Sequence, residues 1–224
     1  MRCLAVAALL LLGACGRPLS PGEAAFAERI HGDTLDVTRV RLVDGALIGK
    51  TTYPRQTRPR RTCRERILPE PKGETITVSP AGFVLFNRVY FAHDWYARDY
   101  LPRYPEGVSL VHAMLFAHEM THVWQWQNRA RTGYSPWRAA REHRGGADPY
   151  LFDIDTRTAF TDYGFEKQAS IVEEYVCCAM LDPQAPRTQR LQSLLGTAFP
   201  VQKLVPPERI ALPWDGAKTE GICR

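Results

Sequence analysis

His118-Glu119-Met120-Thr121-His122 sets two imidazoles four residues apart with a carboxylate beside the first. On a helix, positions i and i+4 share a face, so both rings can grip one metal ion. Glu119 is then placed to hold and deprotonate a metal-bound water. With 6 His and 13 Glu in 224 residues, this spacing arises by chance in roughly one such chain in a hundred. Two histidines and a water suit zinc, and they leave a tetrahedral ion one protein ligand short.

The candidates for that third ligand are His143, Asp162, Glu166, Glu173 and Glu174. Glu166 is the best placed. It opens a second apolar-striped segment and is followed at i+3 by Ala169, small enough to let two helices approach closely. Glu173, two turns on along nearly the same stripe, is the alternative. Asp162 could orient an imidazole instead. Tyr163 and His143 are candidate donors to a developing oxyanion. His31, His93 and His112 read as structural or surface residues, and Trp124 and Trp126 as core or interface anchors.

The elements that must position these groups read as an α+β domain. Helices are expected over Ser20–Ile30, Val108–Gln127, Phe165–Met180 and Thr188–Gly196, the first opened by Ser20-Pro21-Gly22-Glu23 as a capping box. Strands are expected over 35–42, 74–78 and 83–86, with 150–154 as a short fourth. Ser79-Pro80-Ala81-Gly82 would close a 74–86 hairpin whose edge could pair with an extended substrate. Residues 53–72 read as an irregular loop, and 129–146 as a basic stretch breaking at Gly145-Gly146. The expected whole is a compact domain with a small antiparallel sheet packed against the HExxH helix and a second ligand-bearing helix.

Arg2, the apolar run Leu4–Leu12 and Leu12-Gly13-Ala14-Cys15 read as a signal peptide ending in a lipobox-like sequence. Residues 1–14 would be removed, Cys15 lipidated, residues 16–19 left as a short tether, and 20–224 would form one domain. The corresponding address is the periplasmic face of a Gram-negative outer membrane. Cys63, Cys177, Cys178 and Cys223 are then expected in two disulfides. Neighbouring Cys177 and Cys178 would each take Cys63 or Cys223, in an order the sequence leaves open. Residues 55–66 carry six arginines against one glutamate, so the formal charge of +5 belongs to this segment, Arg55–Arg66, and the rest of the chain is near neutral. A solvated loop is the plain reading of that run, anionic lipid the sharper one. Nucleic acid is not expected, because the run lacks interleaved aromatics.

HExxH followed by a downstream Glu-x-x-Ala resembles the gluzincin metallopeptidases. The longer strings His118-Glu119-Met120-Thr121-His122-Val123-Trp124-Gln125 and Glu166-Lys167-Gln168-Ala169 resemble a narrower group of bacterial zincin domains, some Vgr-related and others associated with contractile injection systems. The likeness spans roughly Ser20 to Leu181. It implies a zincin fold, zinc held by His118, His122 and Glu166, and Glu119 as general base. Many gluzincins carry an Asp four residues after the ligand Glu, bonded to a ligating His, where this chain has Ser170. The expected function is that of an exported, membrane-anchored zinc metallopeptidase acting on peptides or proteins. The alternatives are a zinc amidase or endopeptidase directed at peptidoglycan, and a non-catalytic zinc-stabilised binding module.

Overall fold

The computed structural model describes residues 16–46, 49–54, 59–78, 80–143, 149–154 and 159–224. The signal peptide, Cys15, Arg55, Arg58 and the Gly145-Gly146 break lie outside the described residues. Seven helices and seven short strands make up the rest. In chain order these are α1 (Pro21–His31), β1 (Arg41–Asp44), β2 (Thr51–Pro54), α2 (Cys63–Ile67), β3 (Thr75–Val78), β4 (Gly82–Leu85) and β5 (Arg88–Phe91). They continue with β6 (Gly107–Ser109), α3 (Leu110–Gln127), α4 (Arg129–Thr132), α5 (Pro136–Glu142), α6 (Phe165–Leu181), α7 (Pro186–Leu195) and β7 (Arg209–Ala211).

α3 is the axis of the molecule. Every residue from Phe116 to Gln125 is buried, so it is enclosed on all sides rather than amphipathic. α6 lies along one flank in the most extensive helix pairing of the fold, with Ala169 fully buried between them. The sheet β1-β5-β4 covers another flank, and α1 packs across α3 through Phe26 and Phe116. No helix among the described residues is long and apolar enough to cross a membrane.

α1 starts as the sequence predicts. Ser20 Oγ accepts from the Glu23 amide while the Glu23 carboxylate accepts from the Ser20 amide. The spacer expected over residues 16–19 is instead docked on the fold: Arg17 bridges Leu42 through its backbone, and its guanidinium holds the buried Glu23 with two bonds of 2.7 Å.

Three strand expectations are corrected. Residues 35–42 are not one strand: a 3-10 turn occupies Val37–Arg39 and only the last two residues join β1, because the Asp36 carboxylate accepts from the Thr38 amide and hydroxyl and bends the chain out of a ladder. The 74–86 hairpin does not form. β3 pairs antiparallel with β2, and β4 pairs with β5 across the two-residue link Phe86-Asn87. Phe86 adopts φ 60° there, a left-handed conformation costly for an aromatic residue, and its ring packs at a tilt against Trp126, centroids 4.6 Å apart. Residues 150–154 form no strand; the Asp153 carbonyl accepts from the Tyr163 hydroxyl instead. The sheet is also mixed, since β1 runs parallel to β5. Within residues 53–72 the loop contains β2 and α2. Three of its arginines bond back to the fold: Arg60 to the Leu68 carbonyl, Arg66 to the Ile222 carbonyl and the largely exposed Arg64 to Glu173.

His31 closes α1 against the back of α3. Its Nε2 lies 3.2 Å from the Thr121 hydroxyl, which donates to the Ala117 carbonyl and so accepts from the ring. Full burial pushes this imidazole down from 6.5 to about 3. The unfolded chain binds the proton more readily, so this contribution to stability is complete above about pH 6.5 and shrinks as pH falls toward 3. In chelator, the unfolding equilibrium constant should rise by on the order of tenfold to a hundredfold between pH 6.5 and 4.5. Urea titrations of wild type and His31→Gln check this: a variant as pH-dependent as wild type would contradict the assignment.

Candidate metal centre

Two successive turns of one helix and the first turn of another converge on one point. α3 presents His118 and His122, α6 presents Glu166, and all three are buried. His118 Nε2 and His122 Nε2 are 3.3 Å apart. Glu166 Oε2 stands 3.4 Å from the first and 3.3 Å from the second. Three donors bound to a tetrahedral zinc at its usual bond lengths stand about 3.3–3.4 Å from one another. The donor set and its spacing therefore fit zinc.

Each ring is oriented from behind. His118 Nδ1 faces Glu173 Oε2 at 3.3 Å, so its N–H donates there and Nε2 turns its lone pair to the centre. His122 Nδ1 donates to Gln125 Oε1 at 2.8 Å. That amide's orientation is settled by its nitrogen, which donates to the Phe165 carbonyl and to Gln168 Oε1. Gln168 in turn donates to the Tyr163 carbonyl at 2.7 Å. Gln125 and Gln168 thus carry His122's support across to the turn that bears Glu166.

Glu173 stands behind His118 and Glu166 in the triangle, which separates the two candidates for third ligand by position. Ser170, four residues after Glu166, is buried with no partner for its hydroxyl. The acid that faces His118 from this stretch is Glu173, one turn later. Glu174 points away, accepting from the Cys63 amide at 2.7 Å and from Arg187 at 2.8 Å. Asp162 caps the Ala159 amide. His143 lies at the rim, 39% exposed, with Nε2 at 3.0 Å from Glu166 Oε1. Tyr163 spends its hydroxyl on the Asp153 carbonyl at 2.7 Å.

The electrostatics favour a cation. Burial pushes the His118 ring down, but Glu166, Glu173 and Glu119 outweigh it and raise it to about 10. Burial pushes Glu166 up, yet His122, His118 and His143 hold it well below the usual carboxylate range. Glu119 differs. Buried, with Oε2 unpartnered, it is raised by desolvation. A Cβ built on Gly82 would stand 3.5 Å from Glu119 Oε1 and 2.8 Å from the Tyr90 carbonyl, so β4 passes Glu119 closely and only glycine fits there. β4 has β5 on one side and no strand on the other among the described residues.

Glu142 stands outside the acids that spacing singles out. From the end of α5, its carboxylate takes the first two amides of α6, Phe165 at 2.9 Å and Glu166 at 3.0 Å. This is a helix cap delivered by another helix. A side chain at Gly164 would lie about 3.0 Å from that carboxylate. Tyr150 and Tyr134 also border the centre, their rings 6.1 Å from His118 and 6.3 Å from His122.

The four cysteines pair as Cys63–Cys177 and Cys178–Cys223. Three of the sulfurs lie near enough for a shared ion, but each belongs to a disulfide.

No family model matches the chain. It is 30% identical over 177 residues to the type VI secretion system spike protein VgrG2b of Pseudomonas aeruginosa, an alignment covering 76% of this chain and 14% of that protein. The solved effector domain of P. aeruginosa VgrG2b superposes with a TM-score of 0.52 at 26% identity, covering 88% of this chain and 93% of the domain.

Glu142→Ala should remove the cap from α6, costing about 1–2 kcal/mol of stability and weakening zinc binding, with Glu142→Gln milder. Thermal melts and zinc titration of the two variants check this, and an unaltered melt in Glu142→Ala would refute the cap. Across most of its length, then, the chain is homologous to an effector domain that VgrG2b carries, which links it to the Vgr-related proteins of type VI secretion.

Proposed function

We propose that this protein is a zinc-dependent peptidase of the effector type, exported and acting in the periplasm. The observation that carries the proposal is the triangle of His118, His122 and Glu166 at zinc-ligand spacing, with a buried, unpartnered carboxylate oxygen of Glu119 beside it. Zinc held there would supply a Lewis acid for a carbonyl oxygen and acidify a water. Glu119, its basicity raised by burial, accepts a proton and returns it to the leaving amide nitrogen. An extended peptide adds to the free edge of β4, where Gly82 lets its backbone run beside Glu119. His143 is the candidate donor to the oxyanion, since its half-exposed ring already reaches the centre through Glu166.

Metal analysis should find one zinc per chain, lost in Glu166→Ala. Glu119→Gln should keep the zinc and lose at least about a thousandfold in peptide hydrolysis, the order expected when a general base is removed. Full hydrolysis by that variant would leave only a zinc-stabilised scaffold, and casein-type peptides assayed against peptidoglycan would identify the substrate class. Lipid anchoring at Cys15 belongs to the same proposal. Labelled palmitate should enter wild type but not Cys15→Ser, and an unlabelled wild type would remove the anchor.

A further inference from the structure

Glu173 does not serve His118 alone. From α2, 109 residues earlier in the chain, Arg64 Nη1 lies 3.5 Å from both of its carboxylate oxygens. Burial pushes Glu173 up, but Arg64 and His118 hold it below the usual carboxylate range. α2 has only five residues and cannot hold its shape alone, despite the Thr62–Glu65 capping box. Its position depends on α6. Cys63 is bonded to Cys177, and its amide donates to Glu174. Cys177 lies one helical turn after Glu173, so neighbours Cys63 and Arg64 meet an i, i+4 pair on one face of α6.

Building on the metal-centre reading, we propose that Arg64 is a positioning residue acting through Glu173 on His118. The Cys63–Cys177 disulfide holds it there, so that the centre grips its ion fully only in the oxidised protein. Reduction by a dithiol breaks the S–S bond and adds two electrons and two protons. It gives two thiols and leaves the reductant as a cyclic disulfide. α2 then loses its covalent tie to α6 and is held by weaker contacts, among them the Cys63 amide to Glu174 and Arg66 to the Ile222 carbonyl, so Arg64 can move off Glu173. A nearly buried carboxylate without its cation gains by turning to water through the gap. His118 loses the acceptor that fixes its ring, whereas the other disulfide, Cys178–Cys223, bears on α2 at a remove, through Arg66 and the Ile222 carbonyl.

The test uses the full oxidised chain, with chelator competition for zinc and the absorption bands of the cobalt-substituted protein. Arg64→Ala and Cys63→Ala/Cys177→Ala should each weaken zinc binding about tenfold and shift the cobalt bands, the scale expected when support behind a ligand is lost. Arg64→Lys should recover most of the affinity, and combining the Ala changes should add little. Cys178→Ala/Cys223→Ala should melt earlier yet hold zinc within about twofold. Arg64→Ala matching wild type in affinity and bands would overturn the proposal, as would equal weakening by loss of either disulfide. If the Cys63/Cys177 variant does not fold, Arg64→Ala against Arg64→Lys decides the matter. An oxidised wild type that binds neither ion would sink the metal centre itself, a result distinct from tight binding that ignores Arg64.

Discussion

Everything in the centre depends on how closely α3 and α6 approach. Two rings on one helix can only half-enclose an ion, and the third donor must arrive from a separate element within a fraction of an ångström. Ala169 leaves room for that approach, and the amide chain from Gln125 to Gln168 and on to the Tyr163 carbonyl sets its register. A buried polar ladder of this kind is useful only when complete, because each unpaired amide would cost more than an apolar pair in its place. Here His122, Gln125 and Gln168 all find partners, so one docking of the two helices is favoured over its neighbours.

The same crossing gathers buried negative charge that would otherwise oppose folding. Glu119, Glu166, Glu173 and Glu174 are all nearly inaccessible. Glu174 is offset by Arg187 and a backbone amide, Glu173 by Arg64 and His118, and Glu166 by three histidines. Glu119 alone lacks such compensation on one oxygen. Buried groups left in that condition cluster where chemistry is done, because elsewhere packing removes them.

What could be read from the chain follows the range of the interaction. The HExxH pair is a relation between i and i+4 on a single helix, so it was plain from spacing, as was the Ser20–Glu23 cap. Glu166 and Glu173 share one stripe, and only the crossing with α3 places the first beside both imidazole Nε2 atoms and the second behind one ring. Glu142 was invisible, because a cap usually lies beside the amides it serves and this one comes from another helix. The 74–86 hairpin fails for a related reason: its Ser79-Pro80-Ala81-Gly82 link carries a good turn signal, yet the tighter Phe86-Asn87 link wins β4 for β5. Asp36 shows the reverse case, a local side-chain bond strong enough to defeat an alternating pattern. The pairing order of the cysteines needed coordinates, since vicinal residues on a helix offer no preference in sequence.

Cys177 and Cys178 are successive residues on α6, so their bonds leave the helix about 100° apart around its axis. One runs to α2 and the other to the chain's last turn, staying the helix as two guy-ropes stay a mast. Packing resists both sliding and rolling of a buried helix, and the two bonds add to that resistance where it counts, since a roll of about 10° would carry a glutamate tip roughly 1 Å sideways. Adjacent cysteines thus brace a helix in two directions, here with the bond to α2 leaving from the Glu173 face and the bond to the last turn from the Glu174 face.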